Sequence, residues 1–345
     1  MREGRNGRPL PRLSAAAPQI DGETCLLGRF AASKCRACVD ACPTGALIVS
    51  ADGLGIDETA CTGCGLCVPA CPTAAVALPR PVSPRVARAG AAVFLVCRPA
   101  TEAGAPRDAA VAPCLHAFGL RDLAAWRGAA ARVETLRADC EGCCYGGGTR
   151  LADRAALFAR LLDSRGLAPL PASDLPAAEW RRRFEQSDPA PAPGAMSRRG
   201  VLAMFAARES KPEQADGERG FLGLPTACDA ALAAYGPQID ELACTGCDAC
   251  ARLCPTGALA LTGEAYVIEP ARCDNCRLCV DVCADAAIAI TGEGPAARRS
   301  VALAGGRCRR CGAPFHAPTA RRSETGLCRI CARVDHHRNL HQVLP

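Results

Sequence analysis

Cys244, Cys247, Cys250 and Cys254 form a C-x2-C-x2-C-x3-C run, and Cys273, Cys276, Cys279 and Cys283 repeat it after 18 intervening residues. Thiols this close can converge on one centre, and their thiolate form is a soft ligand suited to transition metals. The chain has 26 cysteines in 345 residues, a density typical of a disulfide scaffold or a metal protein. Disulfide scaffolds are usually short and secreted. The first 20 residues carry arginines but no apolar signal region, and no apolar run reaches the length of a membrane span. A reducing cytoplasm is therefore expected, with the cysteines holding metal.

The chain contains the pattern twice. An offset of 212 places Cys35 on Cys247, Cys38 on Cys250, Cys42 on Cys254, Cys61 on Cys273, Cys64 on Cys276, Cys67 on Cys279 and Cys71 on Cys283. Without gaps, Ala32 falls where the second copy has Cys244. Cys25, ten residues before Cys35, is the nearest substitute, because closing a loop of that size costs little. The alternative is a three-cysteine site, with Cys25 a free thiol.

Both copies resemble the bacterial two-[4Fe-4S] ferredoxin family over about 50 residues each. In that family three cysteines of one run hold one cluster and the fourth crosses to the other. The resemblance implies four clusters: on Cys25, Cys35, Cys38 and Cys71; on Cys42, Cys61, Cys64 and Cys67; on Cys244, Cys247, Cys250 and Cys283; and on Cys254, Cys273, Cys276 and Cys279. Pro43, Pro72 and Pro255 follow the crossing cysteines, whereas Ala284 follows Cys283.

Residues 90–166 read as strands alternating with helices, the pattern of a small α/β layer with a parallel sheet. GAAVFLVC, DAAVAPC and ARVETLRADC are the expected strands. Their ends bring Cys97, Cys114 and Cys140 to the edge where such sheets carry function, and Cys143 follows three residues after Cys140. The order of elements is similar to the iron–sulfur delta subunit of methyl-viologen-reducing hydrogenases. That resemblance implies a further Fe–S site, a [2Fe-2S] cluster, on these four cysteines. A Cys–His catalytic reading with His116 has no supporting motif.

Residues 167–235 read as a Pro/Ala-rich linker with short helices. Ser197–Leu202 looks like a twin-arginine motif but is internal and soon charged, and Cys228 stands alone. In the tail, Cys308-x2-Cys311 and Cys328-x2-Cys331 resemble a zinc ribbon, with four thiolates for one tetrahedral zinc. His336, His337 and His341 are then surplus to the ligand set.

The expected architecture is α+β and multidomain. It comprises a tail at 1–20, ferredoxin modules at 21–80 and 236–293, the α/β domain at 90–166 and the ribbon at 300–345. The formal charge of +6 raises nucleic acid as a partner. Four [4Fe-4S] sites at about −2 each would bring the balance to about −2, and aromatics are only 4%. No dinucleotide or P-loop motif is present. The reading is a polyferredoxin without independent catalytic activity. It would pass electrons to or from a dehydrogenase, hydrogenase or reductase, and would dock through the middle domain or the ribbon. The alternative is a maturation or redox-sensing accessory factor for such an enzyme.

Overall fold

The computed structural model describes residues 17–140, 143, 151–190, 220–225, 230–321 and 326–333, apart from 52, 89 and 104. The Ser197–Leu202 motif, Cys228 and the three tail histidines lie outside these residues. The chain divides into two compact units, residues 1–29 with 36–225, and residues 30–35 with 226–345.

In the first unit, β1 (Gln19–Ile20) leads through α1 (Leu26–Arg29) to α2 (Ala37–Asp40). The hairpin β2 (Leu47–Ser50) and β3 (Gly53–Ile56) follows, then α3 (Cys67–Ala70) and β4 (Val76–Ala77), which pairs antiparallel with β1. Strands this short bury little on their own. Their apolar faces close over cysteines instead, with Leu47 and Val76 packing around Cys38 and Cys67.

The middle of this unit is a six-stranded sheet. Its strands are β5 (Ser83–Ala87), β6 (Gly90–Cys97), β7 (Val111–Ala112), β8 (Arg132–Leu136), β9 (Ala172–Asp174) and β10 (Asp188–Pro189). Strands β6, β7, β8 and β9 are mutually parallel, as the strand–helix alternation predicts. The sheet as a whole is mixed, which corrects the expectation of a parallel one. β5 turns straight back into β6 as a hairpin, a connection that allows only antiparallel pairing, and β10 adds antiparallel to β5. α4 (Leu120–Arg127) and α5 (Leu151–Asp163) supply crossovers.

Residues 171–190, read above as linker, belong to this sheet. α6 (Ala177–Glu185) carries Trp180 and Phe184 four residues apart on one face. Both are fully buried against Phe94, with ring centroids 5.4 and 5.5 Å from it and 5.1 Å from each other. Such pairs add about 0.5–1.5 kcal/mol each beyond area burial. Trp180 Nε1 also donates to the Glu134 carbonyl at 3.1 Å.

The second unit opens with β11 (Leu232–Ala233) and β12 (Gly236–Ile239), then α7 (Ala249–Leu253), β13 (Leu259–Leu261), β14 (Ala265–Ile268) and α8 (Leu278–Asp281). β15 (Ile288–Thr291) pairs with β12, and β16 (Gly294–Pro295) with β11. β17 (Arg299–Arg307) and β18 (Pro314–Pro318) extend β13–β14 into a four-stranded antiparallel sheet, and α9 (Arg329–Arg333) lies beyond. Among the described residues no helix is long and apolar enough to cross a membrane.

Candidate metal centres

In the second unit Cys244, Cys247, Cys250 and Cys283 line one hollow of about 300 Å3. The loop reaches this shape by alternating hand: Gly246 has φ +71° and Asp248 φ +65°. Alternation of this kind turns successive amides inward, making a concave site for negative charge. The Gly246 amide donates to the Cys244 sulfur. After Cys283, the Ala287 amide donates to its sulfur at 3.2 Å, and Leu259 does the same for Cys254 at 3.4 Å. Burial pushes Cys250 up to about 12, and the sulfurs of Cys244 and Cys247 add to the shift.

The neighbouring loop repeats the design with Asn275 at φ +63° and Arg277 at φ +61°. An arginine held left-handed costs on the order of 1–2 kcal/mol, a strain typical of binding sites. Burial raises Cys273 to about 11 and Cys279 to about 12, and both sulfurs feel Cys254. Cys250 and Cys279 share one apolar cluster. The donor set fits an iron–sulfur core. It offers converging soft sulfurs, amides aimed at them, and a buried negative charge that a cationic core would neutralise.

In the first unit Gly63 and Gly65 give the loop of Cys61, Cys64 and Cys67 the same alternation, at φ +70° and +78°. Burial pushes Cys67 up to about 12, with Cys64, Cys42 and Cys38 contributing. Burial also opposes ionisation of Cys42, but Thr44 and the amides of Ala46 and Leu47 outweigh it and lower its pKa. Cys38 and Cys67 pack together as Cys250 and Cys279 do.

The gap-free register breaks at Ala32. The Asp21 amide donates to Ala75 O, and the Cys25 amide to Asp21 O, each at 2.9 Å. In the second unit Asp240 donates to Ala287 O, and Cys244 to Asp240 O, also at 2.9 Å. Gln19 pairs with Ala77 in β1–β4, and Gln238 with Ala289 in β12–β15. By backbone position, therefore, Cys25 corresponds to Cys244. The offset there is 219 rather than 212, so seven extra residues lie between Cys25 and Cys35. Gln-Ile-Asp recurs at 19–21 and 238–240, a sequence signal that was available and that cysteine spacing alone overlooks. Cys25 is buried, and Cys35 is half-buried with its amide on Ser33 Oγ at 3.3 Å.

In the middle sheet Cys97 ends β6, Cys114 follows β7, and Cys140 and Cys143 follow β8. All four line one hollow of about 390 Å3, beside His116 and Arg137. Cys144 lies outside the described residues. Ala138 donates its amide to Cys97 Sγ at 3.4 Å. Burial pushes Cys114 up to about 12, against the His116 amide and with Cys64, Cys97 and Cys143 adding to the rise. Cys114 and Cys143 pack against the small apolar cluster of Cys64 and Leu66 in the first ferredoxin-like loop. Gly65 is required there. A Cβ would meet Ala117 Cβ at 3.0 Å and Leu78 Cδ2 at 3.1 Å, on a left-handed backbone. His116 Nδ1 accepts the Leu151 amide at 3.1 Å.

Cys308, Cys311, Cys328 and Cys331 have all four sulfurs within 4.8 Å of one another, the one such group among the described residues. Cys311 and Cys328 stand 3.8 Å apart. Tetrahedral zinc with bonds of about 2.3 Å places its sulfurs roughly 3.8 Å apart, so the spacing fits one ion. The amides of Cys328 and Cys331 donate to Cys308 Sγ and Cys328 Sγ at 3.3 and 3.4 Å.

A comparison with curated proteins found no match. Two segments match family models, each described as a 4Fe-4S dicluster domain: residues 33–75 and residues 236–284. The first match begins downstream of Cys25. The chain thus carries two 4Fe-4S dicluster ferredoxin domains, a feature that suggests an iron–sulfur electron-transfer protein.

Proposed function

We propose that this chain is a polyferredoxin-type carrier that passes single electrons to or from a partner oxidoreductase through four [4Fe-4S] clusters. The clusters would be held by Cys25, Cys35, Cys38 and Cys71; by Cys42, Cys61, Cys64 and Cys67; by Cys244, Cys247, Cys250 and Cys283; and by Cys254, Cys273, Cys276 and Cys279. Bound there, each cluster supplies reversible one-electron chemistry. The chain's own work is to bury the sulfurs, aim amides at them and fix their separation, which together set the potentials. The middle cysteines Cys97, Cys114, Cys140 and Cys143 would hold a further Fe–S cluster, and the tail cysteines a structural zinc.

The observation that carries this reading is the packing of cysteines from neighbouring sites against one another. Cys38 shares one core cluster with Cys67, and Cys250 shares one with Cys279, each cluster spanning two sites of one module. Cys114 and Cys143 pack against the cluster of Cys64 and Leu66, joining the first module to the middle site. A protein built only to store or deliver clusters has no need of this. The reading places the chain in the cytoplasm, with the middle domain as a docking face for a dehydrogenase, hydrogenase or reductase.

The test is reduction of the anaerobically purified protein by a low-potential donor, followed by re-oxidation with an artificial acceptor. All clusters should cycle reversibly without loss of iron. Transfer of iron and sulfide to an apo-ferredoxin, in place of reversible cycling, would favour the accessory-factor alternative.

A further inference from the structure

The C-terminal tail is built onto one cluster loop, and we infer that it is a cap whose bound metal sets the redox behaviour of that site alone. This rests on the reading of Cys244, Cys247, Cys250 and Cys283 as cluster ligands. The tail grows out of the second module's sheet: β17 pairs with β14 from Ala265–Ala302 to Ile268–Arg299, and β18 pairs with β17. Four contacts, two of them from His316, then bring the tail down on the Cys244 loop.

First, the His316 carbonyl sits over Gly246 so closely that a Cβ there would lie 2.1 Å from the oxygen. The contact explains why this position is glycine. Second, His316 Nε2 and Tyr266 OH both reach Asp248 Oδ1 at 2.7 Å. Asp248 lies between Cys247 and Cys250. Third, Arg321 Nη1 donates to the carbonyls of Leu242 at 2.6 Å and Ala243 at 3.2 Å, immediately before Cys244. Fourth, Arg333 pairs with Asp285, which accepts Thr245 Oγ1 at 2.8 Å. Arg333 is two residues past the metal-binding Cys331.

The first module is not built to receive a cap. Where the second has Asp248, Tyr266 and Asp285, the first has Arg36, Leu54 and Thr73, and its corresponding loop is seven residues longer. Among the sites of the two modules, only the Cys244 site has the receiving residues. The segment from Cys308 to Arg333 carries the tail residues of all four contacts, and a metal on its four gathered thiols would tie its two ends together. Metal in the tail therefore holds two guanidinium groups, an imidazole and a backbone carbonyl against the loop, and keeps water from it. Charge, hydrogen bonding and exposure are the terms that set a cluster's potential.

The experiment is an EPR-monitored redox titration of the full chain, purified without oxygen. It would be run before and after the tail's zinc is removed with a chelator, and in the His316→Ala and Arg321→Ala variants, which leave the tail's own ligands intact. The Cys244-site signal is assigned as the one lost in Cys247→Ala. At a fixed potential its reduced-to-oxidised ratio should change at least tenfold, about 59 mV for one electron. The other cluster signals should stay put. Four unmoved potentials, a uniform shift of all four, or a tail that binds no metal would each overturn the cap. A Cys247→Ala variant that loses no signal would instead remove the cluster reading on which it rests.

Discussion

Replacing Cys25 tests the corrected register of the first module. Cys25 occupies the backbone position of Cys244 but reaches Cys35 across nine residues instead of two. The added loop-closure cost, (3/2)RT ln(10/3), is about 1 kcal/mol, or roughly a sixfold bias against closure. That penalty is an upper bound, because the β1–β4 pairing and the Asp21 turn already hold Cys25 in position before any metal binds. Loop length is thus no obstacle to ligation. Cys25→Ala should leave one cluster on three thiolates and lower the iron of the four cubane sites from about 16 to about 15. A [3Fe-4S] signal should appear in the oxidised protein while the other three clusters keep theirs. Cys25→Ser, close in volume, separates loss of the ligand from loss of packing. Deleting residues 26–32 restores a two-residue spacing and should keep all four clusters. Iron, sulfide and EPR would be read anaerobically on each variant. Full iron and an unchanged spectrum in Cys25→Ala would refute the reasoning and make Cys25 a bystander.

Three further outcomes follow from the geometry. Cys114→Ala should abolish the signal of the middle site and any magnetic interaction it has with the adjacent cluster, while the iron of the four cubanes remains; an intact middle signal would remove Cys114 from the ligands. Trp180→Ala should destabilise the middle domain by about 3–5 kcal/mol, since the ring is fully buried between Phe94 and Phe184; a denaturation midpoint like that of the parent chain would contradict this packing. The tail gives a pH test. Amides of Cys311 and Cys328 hold the Cys308 thiol down to about 6, whereas burial and the neighbouring sulfurs push Cys331 up to about 12. At pH 8 Cys308 is already ionised and at pH 5 it is not, so zinc binding should release about one proton fewer at pH 8. Titration calorimetry in buffers of differing ionisation heat counts those protons, and a count independent of pH would contradict the assignment.

The cysteine ladder made both ferredoxin modules legible, because Fe–S ligation fixes spacing more tightly than packing fixes apolar residues. The same ladder hid the insertion before Cys35: a register anchored on Cys35 to Cys71 runs straight through Ala32, and only Gln19-Ile20-Asp21 against Gln238-Ile239-Asp240 shows the chain re-aligning. β5 was hard to see because Pro84 lies inside it, and proline argues against a strand in mid-sheet. Residues 171–190 were obscured by their Pro/Ala content, although Trp180 and Phe184 are spaced as one helical face. The grouping of the tail's four cysteines was plain from spacing. The tail's attachment was not, because β17 pairs with a strand more than thirty residues away and His316 carries no motif.

The central claim is that the chain holds four cubane clusters as a relay. The most direct test is an anaerobic count of iron, inorganic sulfide and zinc per chain, with EPR followed through stepwise reduction. The account predicts about 16 iron and 16 sulfide in four reducible [4Fe-4S] clusters, an additional signal from the middle site, and one zinc. A metal content dominated by zinc with no inorganic sulfide, or no more than about 12 iron in the four cubane sites, would contradict it.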